Sequence, residues 1–134
     1  MATILLLGTD EALLEGLVQT LTALGHQPVL THDAVEAVQA ASSKAPLLAV
    51  MDQDALRADP RLLRLPLQAG GCIVLYRQPG TKPAALPQSH RNVIAELVLP
   101  LERNRLVALV HSVEERARIT GREKDREVRT QPRV

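Results

Sequence analysis

Five short apolar runs punctuate the chain, and between them the apolar positions change their spacing. The first run, Ile4-Leu5-Leu6-Leu7, is continuous and stops at Gly8-Thr9-Asp10. A segment apolar at every position, rather than at alternate ones, fits a strand covered on both faces, as in a parallel sheet. From Leu13 the pattern switches to spacings of three and four. Leu13, Leu14, Leu17, Val18, Leu21 and Leu24 then form one helical stripe. Thr9 or Asp10 supplies a cap at its start, and Gly25 falls just past its end. Residues 27–31 make a second short strand, and Pro28, which has no N–H to give a neighbour, puts it at a sheet edge.

Asp33 stands three residues before Glu36, a capping box that opens a second helix. Ala34, Val35, Val38 and Ala41 are its expected buried side. Leu47-Leu48-Ala49-Val50-Met51 is the third apolar run and ends at Asp52. Asp59-Pro60 reads as cap and first turn of a third helix carrying Leu62, Leu63 and Leu65, kept short by Pro66 and Gly70-Gly71. Residues 73–76 give a fourth strand. Pro79, Pro83 and Pro87 follow at a spacing of four. Each lacks an N–H and costs a helix interior about 3 kcal/mol, so the segment between Gln78 and Asn92 is expected to be short, distorted or loop. Residues 93–99 form the fifth strand, closed by Pro100, and Leu106, Leu109, Val110 and Val113 mark a final helix starting near Glu102. From Glu114 onward the chain holds seven basic and five acidic residues, with Gly121 and Pro132 as breakers. That composition predicts a frayed helix end running into a charged, disordered tail or linker, dividing a domain over 1–116 from a tail over 117–134.

Strands alternating with helical segments imply right-handed crossovers and a parallel sheet covered on both faces. The predicted class is α/β, flavodoxin-like, with strand order 2-1-3-4-5. That order places the switch point between the first and third strands, where Gly8-Thr9-Asp10 and Asp52-Gln53-Asp54 would build a site. At 134 residues the chain suits one domain, and its core must be aliphatic, because there is no Phe or Trp and one Tyr. Single-stranded nucleic acid would find no stacking platform. A net charge of +1 provides no field that attracts DNA or a membrane. The tail arginines are interleaved with acids, which suits a solvated linker better than a nucleic-acid stripe. Cys72, alone and inside an apolar run, has no disulfide partner and reads as a small buried hydrophobe. The N-terminal run is too short for a signal peptide or a membrane span, so a soluble, cytoplasmic domain is expected. His26, His32, His90 and His111 lack metal-ligand spacing. With no phosphate loop, nucleophile elbow or dinucleotide fingerprint, neither catalysis nor a bound cofactor is expected.

Pro46-Leu47-Leu48-Ala49-Val50-Met51-Asp52 resembles the third strand of the receiver domains of bacterial two-component response regulators, which ends in the phosphoacceptor aspartate. Leu99-Pro100, followed by an amphipathic helix, resembles the Lys-Pro step that ends the fifth strand there. The resemblance covers about residues 2–116, with the stretch from Asp52 to Tyr76 short for the family. It implies a CheY-like (βα)5 fold, a place in phosphorelay signal transduction, and Asp52 as the phosphoacceptor equivalent. It also implies a dismantled pocket. Gly8 and Thr9 stand where the family has two acids that hold Mg²⁺, with Asp10 the nearest acid along the chain. Asp54 falls where the family supplies a backbone carbonyl to the metal. Tyr76 replaces a small hydroxyl residue, Glu96 the switch aromatic and Leu99 the lysine; Asp52 and Pro100 alone match.

The expectation is a degenerate receiver, or pseudo-receiver. It is not an enzyme, acts by protein–protein interaction without phosphorylation, and binds Mg²⁺ on Asp52 weakly, if at all. Expected partners are proteins: a histidine kinase, an output domain, or a second copy of the chain meeting it through the last helix. The plain reading of Asp52 is a cap for the turn that follows, and of Asp10 a helix-start acid favoured by the macrodipole. Two other functions stay open: an atypical response regulator phosphorylated on Asp52, and a flavodoxin-like small-ligand-binding domain or enzyme subunit.

Overall fold

All five apolar runs become strands of one parallel sheet, in the order β2-β1-β3-β4-β5. The computed structural model describes residues 2–82 and 92–130. In chain order the elements are β1 (Thr3–Leu7), α1 (Glu11–Ala23), β2 (Gln27–Thr31), α2 (Ala34–Ser43), β3 (Leu48–Asp52), α3 (Gln53–Ala58), a 3-10 turn (Pro60–Arg64), β4 (Cys72–Arg77), β5 (Val93–Val98) and α4 (Arg103–Thr130). This is the flavodoxin-like topology that the patterning predicts. Pro28 lies on the edge strand β2, opposite Ile4 of β1.

The continuous apolar runs are explained by two separate cores. Ile4, Leu6, Val50 and Val74 pack on one face against Leu14, Leu17 and Leu21 of α1 and Leu106, Val110 and Val113 of α4. Leu5, Leu7, Met51, Ile73 and Leu75 pack on the other against Ala37 and Ala41 of α2, Leu56 of α3 and Leu62 of the 3-10 turn. Cys72 is buried, which pushes its thiol up to about 11. Among the described residues no helix is long and apolar enough to cross a membrane.

Three expectations need correction. First, α2 buries Ala37 and Ala41, whereas Val35 and Val38 are 66% and 43% exposed. Small residues let the helix approach the large Leu5 and Leu7 side chains closely, and close-packed volumes decide between two apolar stripes that overlap in sequence. Second, α3 begins directly after Asp52, and Asp59-Pro60 opens a 3-10 turn instead of a full helix. Pro60, Pro66 and Gly70-Gly71 leave too little uninterrupted chain for a longer one. Third, the last helix does not fray near residue 116 but stays helical to Thr130. Arg118 pairs with Glu114 and Glu115 at 3.6 and 3.4 Å across one turn. The Lys, Arg and Glu residues beyond are good helix formers, which outweighs the cost of about 1 kcal/mol at Gly121. Residues 78–82 form a turn in which the Thr81 N–H donates to the Gln78 carbonyl. Pro83 and Pro87, on which the predicted break rests, lie outside the described residues.

Candidate functional site

Parallel pairing brings the C-terminal ends of β1, β3 and β4 side by side, with Leu7 opposite Met51 and Asp52 opposite Tyr76. The residues singled out at these ends do meet here, but local backbone bonds claim most of their polar atoms. Asp10 caps α1, accepting the Leu13 N–H at 3.1 Å, and its other oxygen accepts from the Gln78 amide. Asp52 caps α3, accepting the Asp54 N–H at 2.9 Å. Asp54 is exposed and sits 3.9 Å from Arg57. Gly8, Thr9, His32, Asp33, Asp52 and Asp54 line a cavity of about 330 Å³ at the switch point. Asp33 is committed to the Glu36 N–H at 2.8 Å. Among the described residues no three His, Cys, Asp or Glu side chains group to hold a metal ion.

The phenol of Tyr76 dominates the site. Tyr76 is 1% exposed and belongs to the core on the α1 and α4 side of the sheet. A Cβ placed on Gly8 would lie 2.0 Å from the Tyr76 hydroxyl oxygen and 3.3 Å from its Cζ. The phenol therefore fills the space that any side chain at position 8 would need. Its hydroxyl has no hydrogen-bond partner among the described residues. Burial pushes its pKa well up, and the Asp52 and Asp10 carboxylates push the same way, so the phenol stays neutral. Leu99 is fully buried in the same core and precedes the cis bond to Pro100. Glu96, by contrast, is exposed on β5. Two further polar residues shape the site. Gln53 is buried, and its amide donates to the Lys82 carbonyl at 2.9 Å, tying α3 to the segment after β4; Gln78 holds Asp10. Gln53 belongs to the strand-end triplet Asp52-Gln53-Asp54 that the pattern places at the switch point, whereas nothing in the pattern marks Gln78.

The half-burial of Asp52 has a measurable consequence. Burial raises its pKa above 3.8, the Asp54 N–H opposes this, and the Asp54 charge adds to the rise. A raised carboxyl favours the protonated form in the folded state. Its stabilising contribution is therefore full below pH 3.8 and is lost as pH rises through the folded value. Asn keeps the helix cap and carries no charge. Asp52→Asn should therefore increase stability at pH 7, with the gain vanishing below pH 3.8. Urea midpoints at the two pH values measure it, and a less stable Asp52→Asn protein at pH 7 would refute the argument.

No protein-family model matches the chain, and no match was found among the curated proteins. Solved structures do. NtrX from Brucella abortus in complex with ADP matches 98% of this chain with a TM-score of 0.75 at 21% identity, and this chain spans 30% of that one. A response regulator receiver modulated diguanylate cyclase from Pelobacter carbinolicus matches over 90% of this chain and 98% of that chain, with a TM-score of 0.69 and 16% identity. The pseudo-receiver domain of the CikA protein matches over 84% of this chain and 97% of its own, with a TM-score of 0.62 and 18% identity. The chain has the fold of response-regulator receiver domains.

Proposed function

We propose that the chain is a receiver-like signal-transduction domain that works through protein–protein contacts and not through phosphorylation of Asp52. The observation that carries this reading is the Tyr76 phenol seated against Gly8. Phosphoryl transfer rests almost wholly on positioning and on charges that stabilise the transferred group. Here the position that would carry a metal-holding acid has no side chain and no room for one. The position of the cation is the buried, apolar Leu99, which disfavours charge developing beside it. Asp52, the one matching chemical group, already serves as a helix cap. The partners proposed are a histidine kinase, an output domain or a second copy of the chain, and no reaction of its own is assigned to the domain.

Acetyl phosphate or beryllofluoride with Mg²⁺ tests the proposal. The expected result is no mass adduct after acetyl phosphate, no pattern of NMR shifts around Asp52, and negligible heat on titration with Mg²⁺ alone. A stable phosphoryl adduct that disappears in Asp52→Asn, together with tight metal binding, would overturn it and make the chain an atypical response regulator.

A further inference from the structure

The face of α2 that the core leaves out lies beside the 3-10 turn. Val35 and Val38 are 66% and 43% exposed there, on a helix whose inward face is complete with Ala37 and Ala41. Valine has a lower helix propensity than alanine because its branched Cβ loses rotamer freedom, and at exposed positions no core packing compensates. Opposite these two residues the buried Leu62 and Leu65, with Pro66 after them, complete a cavity of about 400 Å³. The 3-10 turn that follows the six-residue α3, with its cap Asp59, forms the far side of this cavity from α2, through Arg61, Leu62 and Arg64.

The charges at the rim are unequal. Arg61 is held by both carboxylate oxygens of Asp59 at 2.9 Å, so this pair is internally compensated. Arg64, on the same rim, is exposed and has no acidic partner among the described residues. An apolar floor with one uncompensated cation complements an apolar ligand that carries an acid.

We propose that this groove docks an amphipathic helical segment of a partner protein, with acidic residues beside its apolar face. The inference rests on the reading of the chain as a protein-binding module and names the surface and chemistry of that contact. The α2 residues that line the groove, Ala34, Val35, Val38 and Gln39, span about 7.5 Å, which matches about one and a half turns of a docked helix with anchors at i and i+3 or i+4.

The probe is a displayed library of helical 16-residue peptides selected against the full chain. Enriched peptides should carry the apolar spacing and at least one Asp or Glu, and should shift the methyl signals of Val35, Val38, Leu62 and Leu65. Val38→Lys should weaken the best peptide by at least tenfold. Arg64→Glu should weaken it about tenfold, and a peptide with its acid changed to Lys should recover binding to that variant. Should Val38→Lys not fold, Val38→Gln and the Arg64 charge swap carry the same decision. The proposal is overturned by failure to enrich any peptide, by binders whose shifts map elsewhere, or by indifference to both substitutions. It is also overturned by a concentration-dependent dimer that Val38→Lys abolishes, which would make a second copy the occupant. Binders mapping elsewhere would leave the protein-binding reading intact, whereas a phosphoryl adduct on Asp52 would overturn the proposed mode of action without touching the groove.

Discussion

Gly8→Ala is expected to destabilise the domain by about 2–3 kcal/mol, the scale of overpacking in a closed core, and by less than about 1 kcal/mol once Tyr76 is Phe. The added methyl would fall 2.0 Å from the phenol oxygen, and Tyr76, 1% exposed, has little room to withdraw. Removing the hydroxyl leaves ring carbon Cζ as the nearest atom, at 3.3 Å, a tight contact that a few tenths of an ångström resolve. Tyr76→Phe alone should be neutral or stabilising. The hydroxyl is buried without a partner among the described residues, and an unpaired buried donor costs about 1–3 kcal/mol. Urea denaturation of the four proteins closes the cycle, with an expected coupling of about 2 kcal/mol. Additive costs at the two positions would show that the phenol does not occupy the position-8 volume. A large loss in Tyr76→Phe would show that its hydroxyl has a partner in solution.

That coupling marks the limit of what could be read from the chain. The strands were legible because two-sided burial leaves a direct trace: β1 and β3 read as unbroken apolar runs, and Pro28 announced the edge. The switch point followed from strand order, so Asp10, Asp52 and Asp54 were placed at one end of the sheet from sequence alone. What Tyr76 does there was not legible. It contacts a glycine 68 positions earlier, and a glycine carries no side-chain pattern that points to a neighbour. Local chemistry was similarly readable in part. Asp33 caps α2 as its spacing to Glu36 predicts, but the same helix contains two apolar stripes. The choice of Ala37 and Ala41 over Val35 and Val38 was made by the leucines of the sheet. High charge after Glu114 predicts disorder, but the same acids and bases stand at helical pairing distances, as Arg118 and Glu114 do, and α4 extends to Thr130. Residues 78–82 form a turn, and Pro83 and Pro87, on which the predicted break rests, lie outside the described residues.

Leu99→Lys by itself should destabilise the domain by about 3–5 kcal/mol, the cost of a buried charge left without its partner. Leu99 is fully buried in the core cluster that holds Tyr76, Leu97 and Leu106, which contains no carboxylate to balance a cation. The penalty should fall when the surroundings are changed with it. Tyr76→Thr empties the phenol's volume, and Gly8→Asp places a carboxylate in the space so freed. Tyr76→Thr alone leaves a cavity and should cost about 3–5 kcal/mol, so each change is harmful singly and the three together should cost less than their sum. The combined protein then carries at position 8 a carboxylate that the natural chain lacks, in addition to Asp52. Its melting temperature should rise with Mg²⁺, by the equivalent of about 1.4 kcal/mol at a concentration ten times the dissociation constant, whereas the natural chain should show no such rise. Thermal melts of the three single variants, the triple variant and the natural chain, each with EDTA and with Mg²⁺, decide the matter. Mg²⁺-dependent stabilisation already present in the natural chain would mean that Tyr76 does not block the site. A triple variant as unstable as the summed single changes, with no response to Mg²⁺, would mean that Gly8, Tyr76 and Leu99 do not form one unit.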